Sequence, residues 1–219
     1  MNDLQLWQKR VAAQTEIILQ QKLPQISQEP AVLHEAMRYS ALDGGKRLRP
    51  LLVWAASQLD DSVQAACEAA MAAVECIHVY SLVHDDMPEM DNDQLRRGKP
   101  TCHVQFGDAV ALLTGDALQT LAFDILSAPT ELPAERQLKM VRVLAKASGS
   151  LGMAGGQAID LANVGKDMKQ PALEQMHSLK TGALIRAAVQ LGGLSCPQIT
   201  DGQLARLDAY AAKLGLSFQ

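Results

Sequence analysis

Four side chains that could do chemistry, Glu75, His78, Asp85 and Asp86, interrupt an otherwise apolar run from Ala65 to Asp86. In a helix, residues 78 and 85 stand two turns apart on one stripe, about 10 Å at 1.5 Å per residue. His78 as a cation and Asp85 as an acid would then be stacked along one wall. Taken alone, the run reads more simply: a satisfied core histidine, and two aspartates that end a helix. Their placement argues for another use, because adjacent carboxylates at a helix C-terminus oppose the helix dipole. Pro88 biases Met87 away from helical geometry and lets the chain turn so that Asp91 can face Asp85. In a straight helix the two would point about 120° apart. Asp85 and Asp91, with Asp86 beside them, would form a cluster of hard oxygen ligands. Mg²⁺ takes such carboxylates together with waters and phosphate oxygens. A bound cation would make this acidic site attractive to a diphosphate instead of repellent.

Cationic residues follow directly. Arg96 and Arg97 carry fork-shaped donors that match phosphate oxygens in pairs. Upstream, Gly44-Gly45-Lys46-Arg47-Leu48-Arg49-Pro50 offers a flexible turn and three cations just before a helix. That is either a second phosphate cradle or a solvated basic turn, and it lacks the spacing of a Walker-type loop. Two basic clusters and one acidic cluster together point to two diphosphates, one held through metal and one by side chains.

The elements that must position these groups are helical. Alanine, leucine, glutamine and methionine abound, aromatic residues make up 4%, and β-branched runs are missing, which favours an all-α fold. Apolar residues recur at three and four residue spacing through 4–22, 31–42, 48–59, 62–86, 106–126, 134–147, 150–162, 171–191 and 201–218. Gly44-Gly45, the stretch from Pro129 to Pro133, and Cys196-Pro197 punctuate them. About nine helices are expected, with 62–86 and 106–126 at the centre because they are apolar nearly all round. The long irregular stretch 87–105 carries paired opposite charges and reads as functional.

With 219 residues at 48% hydrophobic composition, residues 1–219 read as a single domain with one sizeable core. The formal charge of -4 argues against a general affinity for nucleic acid. Cys67, Cys76, Cys102 and Cys196 form no metal-like spacing and read as reduced, buried thiols of a cytoplasmic protein. The first ten residues lack the apolar block of a secretory signal, and no window reads as a membrane span.

Beyond the basic turn, the motifs are Glu75-Cys76-Ile77-His78, the stretch from Ser81 through Asp91, Leu95-Arg96-Arg97-Gly98, Gly115-Asp116-Ala117-Leu118, Gly155-Gly156-Gln157 with Asp160, and Lys180-Thr181-Gly182-Ala183-Leu184. In this order, from about residue 30 onward, the chain closely resembles the bacterial farnesyl diphosphate synthases of the trans-polyprenyl synthase family. The resemblance implies a bundle of long antiparallel helices around a deep central pocket, usually in a homodimer. It implies that Asp85 and Asp91 ligate Mg²⁺, three ions in a complete enzyme, with Asp86 supporting them. Arg96, Lys180 and Thr181 would bind an allylic diphosphate, dimethylallyl or geranyl. Gly45, Lys46, Arg49, His78 and Arg97 would hold isopentenyl diphosphate, and Gln157, Asp160 and Gln219 would line the pocket. Tyr80, five residues before Asp85, with Ser81 above it, would set a fifteen-carbon product.

Family members continue past Gln219 into a second aspartate-rich motif, and a chain ending there is expected to turn over little. Two alternatives stand beside farnesyl synthesis: geranyl or geranylgeranyl synthesis on the same scaffold, and a non-catalytic modulatory subunit. Such subunits typically have degraded metal motifs, whereas Asp85, Asp86, Asp91, Arg96 and Arg97 are intact.

Overall fold

The computed structural model describes residues 2–42 and 44–217. Its helices are α1 (Asp3–Lys22), α2 (Ala31–Ala41), α3 (Leu48–Ser57), α4 (Gln64–Asp85), α5 (Cys102–Phe106), α6 (Asp108–Ser127), α7 (Ala134–Ser148), α8 (Met153–Ala162), α9 (Gln170–His177), α10 (Ala183–Leu194) and α11 (Asp201–Ser217). The all-α expectation holds, and each of the nine periodic segments is mainly helical within the described residues.

Helix α4 is the centre of the molecule. Its alanines let neighbours approach on every side, and Met71, Val74, Ile77, Val79 and Val83 fill the gaps between them. Each fully buried aliphatic side chain of this size stabilises the fold by about 1.5–3 kcal/mol. Helix α6 packs most extensively on α4, α3 covers another side, and α10 spans α3, α4, α7 and α11.

Two expectations need correction here. By length and composition, α4 and α6 are each apolar enough to cross a membrane. The apolar window of α4 is 78% buried within the molecule, which accounts for it as a core helix. The stretch 87–105 is also more ordered than expected. It contains α5 and a hairpin of β1 (Leu95–Arg96) and β2 (Lys99–Pro100), paired Leu95 to Pro100 and Arg96 to Lys99. Arg97 and Gly98 form the turn with φ of 54° and 79°, the paired positive values of a tight two-residue hairpin.

A further departure concerns segment 171–191, where one continuous helix was expected. A π-helical turn over Ser178–Gly182 separates α9 from α10. Such turns widen the helix by one residue and frequently sit at functional sites.

Candidate functional site

Helices α4 and α8, the first turn of α3 and the π turn enclose a cleft of about 400 Å³. From α4 come His78, Ser81 and Asp85, which share one helical stripe, and Tyr80, and all four line the same space. Lys180 and Thr181 line the facing wall; adjacent residues in an ordinary helix point about 100° apart, and the π turn relaxes that constraint. Gln157 enters from α8, together with the apolar lining of Met153, Ala154, Ala158 and Leu161. Arg49 enters from α3. Gly156 makes the close approach of α8 possible, since a Cβ there would lie 2.1 Å from the Lys180 backbone nitrogen.

At the end of α4 the chain turns back as Pro88 implied. The Asp91 amide donates to the Asp85 carbonyl at 2.9 Å, and the Asn92 amide to the Met87 carbonyl at 3.1 Å. The two aspartates thus meet in one turn. Burial, with Asp91 and Asp86 adding to it against Lys180 and Arg96, pushes the Asp85 carboxyl up to about 6. Asp86 is buried and lines a smaller cavity of about 70 Å³ with Arg96 and Arg97. Both its oxygens accept from Arg96 Nε, at 2.8 and 2.7 Å, and Arg96 Nη2 donates to it as well. This doubly bonded pair holds the Arg96 guanidinium above its ordinary value, against the pull of burial. Among the described residues, no group of three or more His, Cys, Asp or Glu side chains is arranged to hold a metal by itself.

The two basic clusters come together, which spacing alone did not show. Arg97 lies against the glycine turn: a Cβ on Gly45, which has φ of 89°, would fall 2.6 Å from Arg97 Nη2. Lys46 is exposed beside it. Arg49 and Arg97 are both lowered from the ordinary value, foremost by burial; Arg97 is lowered further by Arg47. Burial, then Arg49 and Arg97, hold His78 well below its ordinary value. His78 is therefore a neutral imidazole at physiological pH, which corrects its reading as a cation. Among the described residues, two buried polar atoms of cleft-lining side chains, Arg49 Nε and Gln157 Oε1, have no hydrogen-bond partner, the mark of a site that a polar ligand completes.

Some residues lie elsewhere than expected. Asp160 supports the site from behind, accepting from Lys180 Nζ at 2.6 Å. Arg47, one of the three cations of the basic turn, points inward and pairs with Glu16 and Glu75, which also explains the carboxylate of Glu75 in an apolar helix. Gln219 lies outside the described residues. Sequence reasoning missed Glu16, which carries no local signal, and Tyr39, whose hydroxyl donates to the Pro100 carbonyl at 2.8 Å under the hairpin. Tyr80 is 7% exposed and stacks edge-on to His84 at 5.8 Å between centroids.

Fold and site together define an all-α protein with a cleft that opposes Asp85 to Arg49 and Lys180 and continues into apolar lining. Residues 30–219 match the polyprenyl synthetase family, and the chain belongs to that family. It is similar to the farnesyl diphosphate synthase of Escherichia coli K12, 55% identical over 84% of this chain and 62% of that protein. Against the farnesyl diphosphate synthase of Haemophilus influenzae it is 47% identical over 89% of this chain and 66% of that protein. The chain therefore spans less than two thirds of the length of both. Among solved structures, an FPP/GFPP synthase from Zymomonas mobilis superimposes with a TM-score of 0.92 at 45% identity, covering 99% of this chain and 79% of that one.

Proposed function

We propose that the chain carries the active site of a prenyltransferase that joins isopentenyl diphosphate to dimethylallyl or geranyl diphosphate, forming (2E,6E)-farnesyl diphosphate. The observation that carries this reading is the cleft: Asp85 at the end of α4, Arg49 and Lys180 on facing walls, and Tyr80 about 7.5 Å further down the same helix. Such a space suits a ligand with a charged head and a hydrocarbon tail.

The donors fit Mg²⁺ in its usual mode, with carboxylates at one side and substrate oxygens and water completing the shell. A buried carboxyl held up to about 6 by its neighbours is one that a bound cation would relieve. When bound, the metal would neutralise the allylic diphosphate and make it a better leaving group. Lys180, Thr181 and Arg96 would stabilise charge on the departing diphosphate. Lys46, Arg49 and Arg97 would hold isopentenyl diphosphate, with neutral His78 as a hydrogen-bonding partner, so that its double bond attacks the allylic cation. The proton lost next would go to the released diphosphate, and the chain supplies no nucleophile. Met153, Ala158 and Leu161 would keep water from the cation.

Product length rests on Tyr80. The Zymomonas neighbour is described as an FPP/GFPP synthase, so one scaffold serves more than one length. We also read the helices as one isoprenoid-synthase domain acting as a homodimer. Support for a partner comes from α6, which leaves Leu112 48% and Leu113 54% exposed, next to Val104 on α5 at 46%. The buried free thiols of Cys67, Cys76, Cys102 and Cys196 fit a cytoplasmic setting. The deciding experiment incubates the encoded full-length protein with isopentenyl and dimethylallyl diphosphates, with and without Mg²⁺, and measures product chain length. No condensation overturns the reading; metal-independent condensation overturns the mechanism.

A further inference from the structure

The turn before α3 contains a buried ion-pair network that the proposed reaction does not use. Arg47 is 2% exposed and sits at φ 48°, a left-handed conformation uncommon for any residue but glycine. All three of its guanidinium nitrogens donate. Nε and Nη2 donate to Glu16 Oε1 at 2.8 and 2.5 Å. Nη1 donates to Glu75 Oε1 at 2.7 Å, and Nη2 also reaches the Ala41 carbonyl at 2.6 Å. Glu16 belongs to α1, Ala41 ends α2 and Glu75 belongs to α4, so three helices grip one side chain at the start of α3.

The residues on either side of it face differently. Lys46 is exposed, and Arg49 lines the cleft. A turn that must send one cation out, one inward and one into a cleft within four residues cannot relax into an ordinary helix start, and α3 has no side-chain cap to define it. What defines it is the grip on Arg47. We infer that Arg47, held by Glu16 and Glu75, is a positioning residue for the isopentenyl diphosphate cradle: it fixes the turn from which Lys46 and Arg49 reach substrate and binds no phosphate itself. This rests on the proposed prenyltransferase reading. The carboxylates also act through space, Glu75 opposing the effect of burial on Arg49, and Glu75 and Glu16 together opposing it on Arg97.

Glu16→Gln separates positioning from plain electrostatics because the two predict opposite signs. Removing a negative charge near an anion site should tighten anion binding if charge alone matters. Positioning predicts the reverse: calorimetric titration with isopentenyl diphosphate should show about tenfold weaker binding, as small misplacements of binding groups do. Glu16 is half-buried, so the variant should fold, which circular dichroism checks. Arg47→Lys keeps the charge but lacks the fork and should weaken binding at least as much. Affinity unchanged or tighter in Glu16→Gln, or full affinity in Arg47→Lys, overturns the inference while the parent reading stands. A wild-type chain that does not bind isopentenyl diphosphate overturns both.

Discussion

Asp85→Asn should stabilise the metal-free protein at neutral pH while abolishing its response to Mg²⁺. The Asp85 carboxyl is raised from 3.8 to about 6, foremost by burial. Because the native state keeps its proton where the unfolded chain has lost it, the contribution of this group to stability is highest below pH 3.8. It declines as pH rises from 3.8 towards 6 and stays low above that. At 1.36 kcal/mol per pH decade the full penalty is about 3 kcal/mol, and solvent screening of a partly open group reduces it to about 1–2 kcal/mol. Asparagine resembles the protonated acid at every pH and escapes the penalty. In chelator at pH 7.5 the variant should melt about 2–8 °C above wild type for a domain of this size. That gap should narrow steadily between pH 6 and pH 4. Adding Mg²⁺ with inorganic pyrophosphate should then stabilise wild type and leave the variant unmoved. A variant no more stable than wild type in chelator, or a gap that does not narrow with falling pH, would refute the account of Asp85.

Three further outcomes are expected. Tyr80→Ala should shift the main product to chains of twenty carbons or more, read by product chromatography; an unchanged fifteen-carbon product would remove Tyr80 as the floor of the cleft. Gly156→Ala puts a methyl against the backbone of Lys180, 2.1 Å from its nitrogen and 2.5 Å from its Cα, and should cost about 1–3 kcal/mol in denaturant unfolding with a loss of turnover. Asp86→Asn removes a charged partner that Arg96 grips with two nitrogens; it should cost about 1.5–3 kcal/mol and raise KM for the allylic diphosphate above that for isopentenyl diphosphate.

The fold was legible because helix periodicity is local. Spacing along α4 put His78 and Asp85 on one stripe with Ser81 a turn below Asp85, and Pro88 announced the turn that returns Asp91 to Asp85. What stayed hidden depends on contacts between distant segments. Nothing near Glu16 says that its carboxylate meets Arg47, 31 residues later, and three cations in one turn look alike until one of them is buried. The neutrality of His78 needs Arg49 and Arg97 from two other segments. The π turn at Lys180 likewise replaces a helix pattern that runs smoothly through it in sequence.

Several places where local rules fail lie at the cleft or in the basic turn and hairpin beside it. Arg47 and Arg97 hold positive φ without being glycine, the helix widens at Lys180, Asp85 ionises reluctantly, and Arg49 Nε and Gln157 Oε1 are buried without partners among the described residues. Each departure costs stability when taken alone. Apart from Arg47, which is buried in its ion-pair network, none of these groups belongs to the hydrophobic core around α4, so a chain selected only to fold would lose little by relaxing them. Their convergence on one space is explained if that space is completed by something anionic and cation-bridged, which would satisfy the orphaned donor, discharge the crowded carboxyl and make use of the gathered arginines. The same reasoning gives Asp85→Asn its sign: if the site is strained for a ligand, neutralising its carboxylate must stabilise the empty protein and disable the filled one.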